Sequence, residues 1–139
     1  MAAASHELSV LSAGLLIYDI LSADEGLRAA GCSKVFPVVS EEGAQLPYVC
    51  YRRAALQNTA VKGGRGPDAA TVEVACYASS YAGSIALAEA VTAVLDGLQA
   101  VYSDDGGGSL AARNIRLADA EETWANEAYI QTLTFIIGI

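Results

Sequence analysis

The chain has 139 residues, of which 53% are hydrophobic and 17% are charged, and 8 Lys and Arg against 16 Asp and Glu give a formal net charge of −8. This length and hydrophobicity predict one globular domain over residues 1–139 and exclude intrinsic disorder, because disordered chains combine low hydrophobicity with high charge. The charged fraction lies below the roughly 25% typical of soluble domains, which indicates that a partner or further copies of the chain cover part of the surface.

In the first third of the chain, apolar residues recur at helical spacing. They predict an amphipathic helix over residues 5–22 with Ser5 as its N-cap, followed by a helical turn that ends at Gly31. Residues 35–39 predict an edge strand or an extended arm, because Pro37 removes a donor from the ladder. The repeating apolar positions of the helix are Leu8, Leu11, Leu15 and Tyr18.

Strand patterns follow in the middle of the chain. Residues 46–58 are rich in strand formers and predict a long strand, and residues 71–77 alternate in polarity and predict a half-buried strand. Between them, residues 58–68 collect glycine, proline and basic side chains, which predicts a flexible basic loop. We expect the two strands to form a hairpin across this loop.

The second half of the chain begins with an alanine-rich helix predicted over residues 80–98, with Ser80 or Ser84 as its cap. A turn is expected over residues 103–109, a strand that carries an acidic patch over residues 110–124, and a paired or central strand over residues 128–139. Helices between runs of antiparallel strands predict an α+β fold, an antiparallel β-sheet with two main helices packed on one face.

The length of the apolar runs and the composition of the N-terminus indicate where in the cell the protein is expected. No apolar run approaches the ~20 residues that cross a bilayer, since the longest, over residues 15–21, is interrupted by Asp19. Residues 1–6 also lack the Lys or Arg that begins a secretory signal. We therefore expect no membrane partner and a protein that stays in the cytoplasm where it is made.

Charge is unevenly distributed along the chain. Residues 28–65 contain six basic and two acidic side chains, a local net charge of +4. The remaining residues therefore carry a net charge of −12, and the two parts sum to −8. The acidic total argues against binding duplex DNA through the whole surface. We expect an electrostatically two-faced molecule.

The cysteine and histidine pattern does not predict a metal site or a catalytic site. Cys32, Cys50 and Cys76 form no Cys-x-x-Cys pair, and His6 is the single histidine, near the chain terminus. Cys50 and Cys76 lie in apolar, strand-like runs that favour buried, inert thiols. We expect no catalytic residues, no metal, no cofactor and no enzymatic activity.

Two glycine-rich segments have alternative interpretations. The glycines of residues 63–66 and Arg65 suit a loop that cradles phosphate, or a hairpin tip where Lys62 and Arg65 contact a partner. The hairpin tip is favoured because the segment runs through Pro67 into a strand, not into a helix. Residues 104–109 suggest a calcium loop but lack the ligand spacing of an EF-hand, which favours a solvated turn.

The acidic patch of Asp119, Glu121 and Glu122 also has two interpretations. Asp119 and Glu121 share one face of the predicted strand, as paired carboxylates in acid-base catalysis would. No His, Lys or Tyr lies beside them in sequence. A solvated edge that blocks unwanted strand pairing is therefore favoured.

Four further residues suggest contacts with a partner. Arg52 and Arg53 are adjacent in a strand and point to opposite faces, so at least one is paired or directed at a neighbour. Trp124, with Tyr129 near the same turn, is either an interface anchor, as Trp and Tyr often are at binding hot spots, or a cap on the core.

Several short motifs recur in a recognisable order along nearly the whole chain. They are the helix over residues 8–21, Lys34-Val35-Phe36-Pro37, Leu46-Pro47-Tyr48-Val49, the strand over residues 72–77, the alanine-rich helix over residues 80–98 and the terminal strand over residues 129–137. In this order and spacing the chain resembles the phage tail completion proteins, or tail terminators, of long-tailed bacteriophages and prophages.

The resemblance implies a non-enzymatic virion protein that forms a homo-hexameric ring, from subunits that can be monomeric in solution. Such a ring caps the tail tube, ends its polymerisation and joins the tail to the head connector. The implied partners are further copies of the chain, the tail tube protein, the head connector protein and DNA passing through the lumen. The implied location is the virion tail, after assembly in the host bacterial cytoplasm.

We expect the subunit or tail-tube interface to contain the basic, acidic and aromatic residues singled out above: Arg52, Arg53, Lys62, Arg65, Asp119, Glu121, Glu122 and Trp124. The loop over residues 58–68 is expected to project toward the tube or the lumen. Two alternatives remain open: another neck or connector component of the same particle, and a small-ligand-binding or enzymatic α+β domain.

Overall fold

The computed structural model describes residues 6–61 and 64–139, and of residues 58–61 and 64–67 it describes the backbone alone. Its strands and helices confirm the predicted α+β class. The strands are β1 (His6–Glu7), β2 (Val35–Pro37), β3 (Tyr48–Val61), β4 (Gly64–Ala78), β5 (Ala100–Ser103), β6 (Gly108–Ala112), β7 (Asn114–Ala125) and β8 (Ala128–Gly138). The helices are α1 (Ala13–Ala23), α2 (Glu25–Ala29) and α3 (Tyr81–Leu95).

The main sheet has five strands in the order β2-β3-β4-β8-β7. All neighbours are antiparallel except β2, which runs parallel to β3. The predicted paired position of the C-terminal strand is confirmed, since β8 lies between β4 and β7, and β2 is an edge strand as Pro37 predicted. A smaller sheet has the order β1-β6-β5.

Both main helices cover one face of the main sheet, as predicted. Along β4, Val72, Val74 and Cys76 are fully buried, whereas Glu73 and Ala75 between them are partly exposed. The buried face forms a single apolar cluster with the inward residues of the two helices. These are Ala13, Leu16, Ile17 and Leu21 of α1 and Leu87, Ala88, Val91 and Leu95 of α3.

Helix ends follow from local capping chemistry. Ser80 caps α3 as predicted, because its Oγ accepts a hydrogen bond of 3.0 Å from the backbone N–H of Gly83. Asp24 caps α2 in the same way, with 3.1 Å to the N–H of Leu27. Gly31 follows α2 with a φ of 89°, a left-handed conformation in which glycine has no steric penalty.

The prediction that the first helix begins at residue 5 is wrong. His6 and Glu7 pair in β1 with β6, and a 3₁₀ turn over Val10–Ser12 precedes α1, with Ser9 as its cap. Pairing with a segment about 100 residues away overrides the local helical spacing. Ser5, the predicted cap, lies outside the described residues.

The face that α1 buries also differs from the predicted stripe. Leu11 is 60% exposed and Leu15 is 49% exposed, and Tyr18 is also exposed. The positions between them face the sheet instead. The apolar spacing therefore identified a helix correctly, but it did not show which of two adjacent apolar stripes packs on the sheet.

The flexible basic loop predicted over residues 58–68 is wrong as well. The hairpin itself is confirmed, but its strands continue outward, with Asn58 opposite Asp68 and Val61 opposite Gly64. Only β3 pairs with β4 before Ala69, so the two strands form a ribbon beyond the rest of the sheet. Lys62 and Gly63 lie outside the described residues.

Residues 110–124, predicted as one strand, belong to two strands in different sheets, β6 and β7. The turn predicted over residues 103–109 is confirmed as the connection between β5, which the sequence did not predict, and β6. Asp104 Oδ1 accepts hydrogen bonds from the backbone N–H groups of Gly106 and Gly108, at 2.9 and 2.7 Å, so this carboxylate stabilises the turn.

Candidate functional site

The candidate residues lie at two opposite sides of the main sheet. β2 pairs with β3 only from Val49 to Tyr51, so β3 has a free edge from Arg52 onward. On the other side β7 is the edge strand and carries the acidic patch and Trp124. Three inter-strand spacings separate β3 from β7, about 14 Å. Within one copy the structure therefore does not bring the arginines and the carboxylates together.

The two adjacent arginines point to opposite faces, as predicted. Arg52 lies on the open face of the sheet and its Nη2 is 2.6 Å from Glu73 Oε1 on β4. Arg53 pairs opposite the buried Val72, which places it on the face that carries the helices. Arg53 is exposed and forms no ion pair within the part of the chain that the structure describes. Arg65 lies in β4, where its side chain is outside the description.

The acidic residues of β7 are divided between the two faces. Asp119 lies opposite Thr134 and Glu121 opposite Thr132, so both carboxylates are on the open face, as predicted. Glu122 is on the helix face. Because β7 is an edge strand, the interpretation of this patch as a charged, solvated edge fits its position.

On the helix face, Glu122 belongs to a hydrogen-bond network that joins three elements. The Tyr81 hydroxyl, in the first turn of α3, lies 2.8 and 3.1 Å from the two carboxylate oxygens. Gln131 on β8 donates to Glu122 Oε2 at 3.1 Å and to Ser84 Oγ at 3.2 Å. Ser84, which is fully buried, donates to the Tyr81 carbonyl at 2.7 Å. The network fixes the carboxylate against the start of α3.

Aromatic rings complete the surroundings of this carboxylate. The rings of Trp124 and Tyr129 meet edge to face with centroids 4.8 Å apart, and Tyr129 meets Tyr81 in the same way at 5.8 Å. Trp124 is 57% exposed and does not cap the core. Together with Glu122 and Gln131 these rings line an open cavity of about 240 Å³, called here the aromatic-acid pocket.

The hydrogen bonds alter the ionisation of both partners in the pocket. The bonds from Gln131 and Tyr81 lower the pKa of Glu122 below its ordinary value of 4.5. The bond to Glu122, and its negative charge, raise the pKa of Tyr81 above 10.0. At neutral pH the pocket therefore holds a carboxylate beside a neutral phenol.

Exposed apolar residues accompany the charges at both sides of the sheet. Val38 and Val39 follow β2 beside the free edge of β3 and are 71% and 72% exposed. Val38 has a φ of 66°, which is strained for a β-branched residue, and its N–H donates to the Tyr51 carbonyl at 2.7 Å. At the other side, Trp124 is the corresponding exposed apolar group.

The predicted carboxylate and arginine groups do not converge into a reactive site. Asp119 and Arg52 lie on strands separated by β4 and β8, and Arg52 is paired with Glu73. Cys50 and Cys76 are buried thiols, as predicted, and burial raises the pKa of both. In the described ranges no three His, Cys, Asp or Glu side chains are grouped to hold a metal ion. No helix there is long and apolar enough to span a membrane.

Sequence reasoning identified Glu122, Trp124 and Tyr129 but missed Tyr81 and Gln131. These residues come from α3 and β8, and only the folded sheet brings them to Glu122. One local feature pointed to Tyr81. It directly follows the cap residue Ser80, so its side chain lies at the exposed N-terminal end of α3.

Comparison with solved structures identifies a chain with the same architecture. A chain from a structure described as the virion of a native gene transfer agent particle matches with a TM-score of 0.72. The two chains share one fold. The match covers 94% of this chain and 98% of the other, at 19% sequence identity. No family description and no curated protein matches the sequence.

Proposed function

We propose that the protein is a structural component of a phage-like virion, and that copies of it form a ring that caps the tail tube. The ring ends tail polymerisation and joins the tail to the head connector. The observation that carries the proposal is the match with the gene transfer agent virion chain, which extends over nearly all of both chains. A virion protein is also what the sequence motifs imply, since their order and spacing resemble those of tail terminators.

The two sides of the main sheet support a ring. In a closed ring each copy contacts the next through two different surfaces, which must complement each other. Here one side carries Arg53 beside Val38 and Val39, and the other carries Glu122 beside Trp124. Opposite charges beside exposed apolar groups are suited to such a head-to-tail contact.

Two further surface features could contact the tail tube and the connector. The exposed stripe formed by Leu11 in the 3₁₀ turn and Leu15 on α1 is an apolar surface that the fold leaves uncovered. The ribbon of β3 and β4 extends about five residues beyond its last contact with β8, about 17 Å. We propose that the stripe and the ribbon contact the tail tube or the connector, and that DNA passes through the lumen of the ring.

The first experiment measures mass in solution over a concentration series, followed by electron microscopy of the assembled species. We expect monomers at low concentration and six-membered rings with a central channel at high concentration, or rings on the ends of tail tubes when tubes are added. A protein that stays monomeric at every concentration and does not bind tube ends contradicts the proposal.

Deletion of the gene from a particle-producing strain distinguishes a terminator from another neck component. Loss of a terminator leaves tube polymerisation without a stop, so we expect tails of irregular length and heads without tails. Tails of uniform, normal length that are detached from heads would instead assign the protein to the neck or connector. Particles of normal shape and yield would contradict both roles.

A further inference from the structure

The aromatic-acid pocket is built like a receptor for a cationic side chain. Three aromatic rings, those of Tyr81, Trp124 and Tyr129, surround one carboxylate, and a cation within about 6 Å of such rings is attracted to their faces. Hydrogen bonds from Tyr81 and Gln131 hold Glu122 in place, so little side-chain freedom is lost when a cation binds. The Oε1 atom, which accepts only from Tyr81, retains acceptor capacity for a guanidinium.

We infer that the aromatic-acid pocket receives the guanidinium of Arg53 from the next copy of the chain. This inference rests on the proposed ring, and it names the pair of residues that joins one subunit to the next. Glu122 forms the ion pair with Arg53, and Trp124 covers the contact from the solvent side.

The pairings of the other described cations single out Arg53. Lys34 is 3.1 Å from Glu41, Arg52 is paired with Glu73, and Arg28 and Arg113 donate to backbone carbonyls. Of the cations whose side chains the structure describes, Arg53 and Arg116 have no such partner. Arg116 lies on β7 itself, opposite Ile136 on the open face, where the pocket does not open.

The topology prevents this pair from forming within one copy but favours it between copies. Arg53 and Glu122 lie at opposite sides of the sheet and both belong to its helix face. When the sheets of two copies meet edge to edge with their helices on the same side, these two residues approach each other. Since β7 runs antiparallel to β3, the two edges also have compatible directions.

Strand β2 sets the offset between neighbouring copies. Through the sheet pairings Glu122 is level with Val49, where β2 already occupies the edge of β3. The free edge begins at Arg52, so the neighbour's Glu122 must move along the strand by at least three residues to reach it. A shift of four residues, roughly 14 Å, brings Glu122 level with Arg53. The same shift places Trp124 level with Tyr51, beside Val38, whose N–H donates to the Tyr51 carbonyl.

Charge reversal tests the pair directly in the full-length chain. The variants Glu122→Arg and Arg53→Glu place like charges at the contact, and each is expected to raise the concentration needed for half-assembly at least tenfold. Mixed in equal amounts, the two variants present complementary charges at every contact of an alternating ring. We expect the mixture to assemble within about threefold of the wild-type concentration.

A matched control separates this contact from general charge effects. Asp105→Arg makes the same charge change in the exposed turn between β5 and β6, outside the main sheet, and we expect less than a threefold effect. Circular dichroism and thermal unfolding establish that each variant is folded. Trp124 is the single tryptophan of the chain, so its emission is expected to move to shorter wavelength on assembly of the wild type and not in the single variants.

The outcomes distinguish the pair from the ring itself. Wild-type rings that both single variants form equally well overturn the Arg53 contact and leave the proposed function standing. A mixture that fails to assemble while both variants are folded also overturns the contact. A wild-type chain that forms no ring alone or on tail tubes overturns the proposed function and the pair together.

Discussion

Replacing Phe135 by alanine tests the register of the main sheet. Phe135 on β8 is fully buried and lies opposite Val72 on one side and Leu117 on the other. Its neighbour Ile136 points to the open face and is partly exposed. A shift of one residue would exchange the two faces of the strand. Comparing the stability loss at Phe135 with that at Ile136 therefore tests the register.

The expected loss in unfolding free energy for each variant follows from how deeply the replaced side chain is buried. Truncation of a fully buried Phe costs about 3–5 kcal/mol, the sum of lost apolar transfer and the cavity left behind. Truncation of the partly exposed Ile136 removes less buried surface, and we expect a loss of about 1 kcal/mol. A domain of this size typically has roughly 7–20 kcal/mol of stability, so both variants should fold.

Urea unfolding at a concentration where the protein is monomeric measures both changes. With a slope of about 2 kcal/mol per molar urea, the midpoint should fall by about 2 M for Phe135→Ala and by about 0.5 M for Ile136→Ala, at unchanged slope. Phe135→Leu should lie between them and serves as the milder variant. Equal losses, or a larger loss for Ile136→Ala, would refute the register and the placement of the core on the helix face.

Three further outcomes are expected. Ser80→Ala should lower stability by about 1 kcal/mol through loss of the α3 cap, with Ser79→Ala nearly neutral, as measured by thermal unfolding. Folding lowers the pKa of Glu122, so the ionised carboxylate stabilises the fold above pH 4.5, and this contribution is lost as pH falls through the folded-state pKa. The difference in unfolding free energy between the wild type and Glu122→Gln should therefore be largest near neutral pH and shrink in acid. A difference that does not change with pH would contradict the network. The thiol of Cys76 should react with a thiol reagent only on unfolding, whereas the partly exposed Cys32 reacts first, and rapid native labelling of Cys76 would contradict its burial.

Features that depend on local chemistry were predictable from the sequence. Ser80 has the side chain that caps a helix, and the alternation around Val72 has the period of a half-buried strand. The β-branched and aromatic run that ends the chain has no charged residue, which is typical of a strand with neighbours on both sides, and β8 has them. In each case the determining contacts lie within the element or depend only on burial.

The errors arose where distant pairing overrode local preference. The glycines, proline and basic residues around Lys62 are typical of a loop, but the cross-strand hydrogen bonds of the ribbon extend to Val61 and Gly64. A register shift between Asn58 and Ala60 gives β4 one extra residue near Pro67, which has no N–H for the ladder. At the N-terminus, pairing with β6 replaced a predicted helical turn.

The aromatic-acid pocket was only half visible in the sequence for the same reason. Glu122 and Trp124 stood out as an acidic patch and a lone tryptophan, but Tyr81 is 41 residues from Glu122 along the chain. No period or spacing connects residues so far apart. The sequence therefore supplied the charge and the aromatic anchor, and the fold supplied the geometry that turns them into a pocket.

The distribution of charge also bears on the symmetry of assembly. An exposed strand edge can pair with any other edge, including the same edge of a second copy. On β7 the carboxylates of Asp119, Glu121 and Glu122 would face each other in such a two-fold contact, and like charges so placed disfavour it. The free edge of β3 carries arginines, which favour the acidic edge instead. An edge that repels itself and attracts the opposite edge favours head-to-tail contacts, and head-to-tail contacts are those that a ring requires.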